Sequence, residues 1–157
     1  MTREELASAI AAYGAGLEAE LTLLRQLQRL AALQREATVG NEMGLLPRLG
    51  DERERLMAGL VEIEHQIKPL RQALAGAVGD AASRPGFEDV VALHRAASQL
   101  VSTILSADRE TAQSLRDAEA ARRVAVQAIE HGETTLAAYR RVIAPPLAGA
   151  ALLDRVG

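Results

Sequence analysis

The chain has 157 residues, enough for one domain with a modest core. Hydrophobic residues make up 48%, yet aromatics are only 2% and tryptophan is missing, so alanine and leucine carry the apolar content. Strands favour β-branched and aromatic residues, whereas Ala and Leu suit helices packed at close range, which points to an all-α fold. The net charge of -3 argues against a phosphate-binding surface, and the absence of cysteine excludes disulfides and thiolate metal sites. No secretory leader is expected from Thr2-Arg3-Glu4-Glu5, and no membrane insertion, because the apolar stretch from Val142 to Leu153 is short and broken by proline. The expected compartment is the cytoplasm.

The first helix is predicted over 3–39. Thr2 and Glu5 have the spacing of a capping box, in which two orphan amides are satisfied reciprocally. Leu6, Ile10, Tyr13, Leu17, Leu24, Leu27 and Ala31 recur at alternating three- and four-residue steps, the seam of a helix packed on another helix. Gly40 is expected to take the left-handed conformation that ends the helix. Seven leucines between Leu17 and Leu33 spread over more than half the cylinder, as expected of a helix that is either held between two neighbours or keeps one face for a partner.

The second helix is predicted over 42–75, with Asn41 as its N-cap and a seam through Leu46, Leu49, Arg53, Leu56, Leu60, Ile63, Ile67, Leu70 and Leu74. Pro47 suits a first turn, but Pro69 should kink the helix or end it near Lys68. The segment from Gly76 to Gly86 reads as a loop.

The third helix is predicted over 87–143, with Glu88 and Asp89 in its first turn. Its seam runs Val90, Leu93, Ala97, Leu100, Ile104, Ala107, Thr111, then takes one additional four-residue step to Leu115. It continues as Ala118, Arg122, Ala125, Ile129, Gly132, Leu136, Tyr139 and Ile143. Pro145-Pro146 should stop it, leaving 145–157 as a flexible tail. The expected architecture is therefore a single domain over 1–144, an antiparallel bundle of three long helices. The first two helices are about 50 Å long and the third about 80 Å, so the C-terminal helix is expected to project past the others. The projecting stripe of Ile129, Leu136, Tyr139 and Ile143 is then the expected partner-binding site, since exposed apolar stripes mark contact surfaces. A hinge at Gly132 that folds the stripe back is the alternative.

Catalytic signals are weak. The three histidines, His65, His94 and His131, are not spaced for a shared site. Glu62 and His65 form one Glu-x-x-His step, but a di-iron bundle needs two such steps and further inward glutamates. No phosphate-binding glycine loop or nucleophile elbow occurs. No catalytic, metal or cofactor residue is therefore assigned.

The turn through Gly40-Asn41, the charged run Asp51-Glu52-Arg53-Glu54-Arg55-Leu56, the segment Leu136-Ala137-Ala138-Tyr139-Arg140 and the ending Asp154-Arg155-Val156-Gly157 resemble flagellar export chaperones of the FlgN type. The two prolines of the second helix depart from that pattern. The resemblance implies a cytoplasmic chaperone that binds the C-terminal amphipathic helices of hook–filament junction proteins. Such a chaperone keeps its cargo unassembled and delivers it to the type III export gate. Partner contact would fall on the end of the last helix, at Ile129, Leu136, Tyr139 and Ile143. The alternative is a structural coiled-coil protein without cargo, whose stripe forms a homodimer.

Overall fold

A computed structural model of the chain describes the backbone of residues 1–156 and the side chains of residues 1–142. It is all-helical, with no strand among the described residues. In chain order come α1 (Arg3–Val39), a 3-10 turn (Met43–Leu45), α2 (Leu46–Gly76), the short α3 (Val78–Ala81) and α4 (Phe87–Val156). The chain divides into two compact units, Met1–Ser114 and Leu115–Gly157.

α1 begins as expected. The Thr2 hydroxyl accepts from the Glu5 amide at 3.2 Å and the Glu5 carboxylate accepts from the Thr2 amide at 2.6 Å. The end differs by one residue: Gly40 stays right-handed at φ -76°, and Asn41 takes the left-handed conformation at φ 55°. Asparagine tolerates that region better than most residues with a Cβ. Asn41 is thus part of the stop of α1 and not the cap of α2. The 3-10 turn intervenes, and α2 starts at Leu46 with Pro47 in its first turn, where the missing amide costs nothing.

Two further expectations need correction. Pro69 does not end α2, which continues to Gly76. The residues around it explain this: Ile67 and Leu74 are buried and Leu70 packs against the same cluster, so tertiary packing offsets the lost hydrogen bond. The expected loop from Gly76 to Gly86 contains α3, which anchors on the fully buried Ala81, and Gly86 supplies the positive φ of 84° before α4. Four α-helices are therefore described where three were expected. α4 passes through Gly132 as helix, so no hinge forms there. α4 also continues past Pro145-Pro146 to Val156, so the helix stop expected there, with a tail over 145–157, is not found; the side chains of 143–157 lie outside the described residues.

Unit Met1–Ser114 contains the core. Leu6, Ile10, Tyr13 and Leu17 of α1 meet Ile67 and Leu74 of α2, Ala81 of α3 and Val90 of α4 in one cluster. Leu21, Leu24 and Leu27 of α1 meet Ala97 and Ile104 of α4 in a second, flanked by Leu56 and Leu60 of α2. Most of the crowded leucines of α1 are thus held between two neighbours, the first outcome its width allows; Leu33 is the exception, half exposed. Gly14 and Gly16 allow the close approach: a Cβ at Gly14 would touch Val90, and one at Gly16 would fall on the Ile67 side chain.

Polar contacts fix the register. Arg53, placed in the seam of α2, donates to Gln34 of α1 at 2.9 Å and pairs through both guanidinium nitrogens with the Asp108 carboxylate of α4. Arg71 of α2 donates to the Tyr13 hydroxyl at 3.2 Å. The order of these contacts, Gln34 with Arg53 and Tyr13 with Arg71, makes α1 and α2 run in opposite directions.

Candidate functional site

Among the places in the described residues that hold exposed apolar surface or clustered polar groups, four bear on function. The first is the network around Tyr13. Its hydroxyl lies 3.4 Å from His94 Nδ1 and accepts from Arg71, whose guanidinium also grips Glu64 at 2.7 and 2.8 Å. That hydrogen bond holds the Glu64 carboxyl below its ordinary proton affinity. Glu20 nearby is shifted the other way, up, by burial and by the Glu64 charge. Each Arg71 donor group is answered by an acceptor, Tyr13 or Glu64, and the network ties α1, α2 and α4 together.

The second is a shallow groove of about 730 Å³ between the end of α1 and α4, lined by Ala31, Ala32, Val39, Ile104 and Ala107 among others. The third is a pouch bounded by Tyr13, Arg71, Leu74, Phe87 and His94. No set of three or more His, Asp or Glu side chains among the described residues is arranged to hold a metal ion. Glu62 and His65 are both exposed on α2. No helix among the described residues is long and apolar enough to cross a membrane.

The fourth is the exposed stripe of α4 within unit Leu115–Gly157. Burial along α4 follows the seam as far as Leu115 and then stops. Val90, Ala97 and Ile104 are buried and Ala107, Thr111 and Leu115 half-buried, whereas from Ala120 to Val142 every residue except Gly132 is exposed. Large apolar side chains nevertheless continue: Ile129 is 63% exposed, Leu136 68% and Tyr139 61%. At 100° per residue Ile129 and Leu136 lie on one face, with Tyr139 at its edge. Ile143, the fourth expected member, lies outside the residues whose side chains are described.

Charges line this stripe on one side. Glu119 pairs with Arg122 at 3.1 Å and with Arg123 at 3.5 Å, and the Arg122 hydrogen bond lowers the Glu119 carboxyl from its usual range. These pairs are exposed and screened by solvent, so they add little to the helix. No family model matches the sequence, no curated protein matches it, and no solved structure matches the fold.

The stripe was legible from spacing. The Tyr13–Arg71–Glu64 network was not, because Tyr13 and Arg71 lie 58 residues apart in the chain. The only signal for it in the sequence is a tyrosine in an otherwise aliphatic seam, since a buried hydroxyl needs a partner.

Proposed function

We propose that this chain is a cytoplasmic chaperone of flagellar protein export, built on an antiparallel helical bundle, that takes an amphipathic helix of its cargo onto the α4 stripe. The cargo class is the hook–filament junction proteins, and the export gate is the second partner. The observation that carries the reading is the exposure of Ile129, Leu136 and Tyr139 on a helix whose earlier seam is fully used. Burying one such side chain contributes on the order of 1.5–3 kcal/mol, so three of them are a large store of unused binding energy. Recognition by helix-on-helix contact needs only such a stripe, without a pocket or cofactor. The resemblance of the Leu136–Arg140 segment to FlgN-type chaperones supports the choice of cargo.

The test is capture of a C-terminal fragment of a junction protein by the full chain, compared with the double variant Leu136→Ala, Tyr139→Ala. Both substituted side chains are exposed, so the variant should keep its helix content and melting temperature while losing tenfold or more in affinity. Capture by the variant at the level of the unaltered chain would remove the stripe as the site. No capture by the unaltered chain would remove the cargo.

A further inference from the structure

We infer that the α4 stripe is self-complementary, and that in the absence of cargo a second copy of this chain covers it as an antiparallel pair of α4 helices in one defined register. Four observations carry this.

The stripe has two sides of different size. Between Ala118 and Tyr139 the three- and four-residue steps alternate Ala118, Arg122, Ala125, Ile129, Gly132, Leu136, Tyr139. The first set of seam positions holds the long side chains Arg122, Ile129 and Leu136. The second holds mostly small ones, Ala118, Ala125 and Gly132, with Tyr139 at the end. In an antiparallel pair, positions of the first set face positions of the second. With the two-fold axis between Glu130 and His131, Ile129 faces Gly132 of the second copy and Leu136 faces Ala125. Arg122 then faces the Tyr139 ring, a cation–π arrangement. Every large side chain meets a small one or its electrostatic complement.

The same register pairs one set of flanking charges. Glu119 comes opposite Arg140 of the second copy, twice by symmetry, while Glu133 on the same flank comes opposite Val126, and the other flank, Ala121, Ala128, Thr135 and Val142, carries no charge. A parallel pair in register does the reverse. It sets Arg122 against Arg122 and Tyr139 against Tyr139, and leaves Gly132 opposite Gly132 with a gap between them.

Gly132 is the third observation. A glycine inside a helix is less favourable than alanine, and the glycines of α1 offset that through close contact with Ile67 and Val90. Around Gly132 a Cβ would meet no atom within 4 Å, so nothing among the described residues uses the space. Ile129 of a second copy would.

The fourth is the amount of apolar surface: Ile129, Leu136, Tyr139 and Val142 are each at least 61% exposed, and two copies bring eight such side chains to one interface. The inference goes beyond the chaperone reading and stands without it. If both hold, cargo must displace the second copy, and dimer and complex are competing states of one surface.

The chain has no cysteine, so introduced thiols report the register directly. Full-length Ala125→Cys and Leu136→Cys are to be oxidised separately and as a mixture, with sedimentation equilibrium on the unaltered chain at micromolar concentrations. The expected result is a doubled mass for the unaltered chain and a cross-linked species only in the mixture. Gly132→Leu, which fills the gap in the seam, should return the chain to monomer with its circular dichroism unchanged. A monomer at every concentration, cross-linking of Ala125→Cys with itself, or no cross-link in the mixture would overturn the proposal. None of these readouts involves cargo, so failure here leaves the capture experiment to stand or fall separately.

Discussion

Leu17→Ala is expected to cost about 3–4 kcal/mol of folding free energy, whereas Leu136→Ala should cost less than about 0.5 kcal/mol. The chemistry removed is the same. The difference is burial: Leu17 is 1% exposed in the cluster with Ile67 and Leu74, and Leu136 is 68% exposed on α4. Deleting the Leu17 methyls loses their transfer free energy and leaves a cavity between helices that cannot close without shifting backbone. Against a total stability of about 5–15 kcal/mol, that loss is a large fraction. Urea denaturation followed by circular dichroism measures both, and the midpoint should move with little change in slope. Comparable losses at the two positions would mean that the α4 stripe is packed against something in the folded chain.

Gly16→Ala should lower stability by about 1–3 kcal/mol, while Gly50→Ala should raise it by up to about 1 kcal/mol. Alanine normally improves a helix over glycine because the unfolded chain loses less freedom. At Gly50, in α2, a Cβ meets no atom within 4 Å and that gain is realised. At Gly16 the Cβ lands on the Ile67 Cγ2 methyl. Ile67 is 2% exposed and β-branched, with one favoured χ1 in a helix, so it cannot swing aside and the backbones must separate. Thermal melts of the two variants side by side test the sign. A gain at Gly16 would show that α1 and α2 are not in the close contact described.

Helix identity and phase were readable in advance because they rest on period alone. The α1 seam from Leu6 to Ala31 and its capping box needed no knowledge of partners, and Arg53 stood out as a charge in an apolar row. Its answer, Asp108, lies 55 residues away, and no local rule connects them. Local rules also misplaced the turn at Gly40 and Asn41. Both residues reach left-handed backbone at low cost, and the choice between them depends on how α1 meets the following 3-10 turn. The reading that Pro69 ends α2 weighs one lost hydrogen bond without the buried Ile67 and Leu74 that hold α2 together around it. The stripe on α4 was visible as a spacing, but the pattern runs on through Leu115 with no change of character. Only the coordinates show burial ending there, because exposure depends on which other helices are near.

The claim on which the functional reading rests is that the face of α4 from Ala118 to Val142 is open in the isolated chain and closes on another helix. Hydrogen exchange with mass analysis tests it on the full-length protein, diluted until monomeric, with and without a C-terminal amphipathic fragment of a junction protein. An unsupported helix opens locally at low free energy, so amides over 118–142 should exchange orders of magnitude faster than those around Leu17 and Ile67. They should slow sharply when the fragment is added, while α1 is unchanged. Amides over 118–142 that are as protected as the core in the dilute chain, and indifferent to the fragment, would contradict the account.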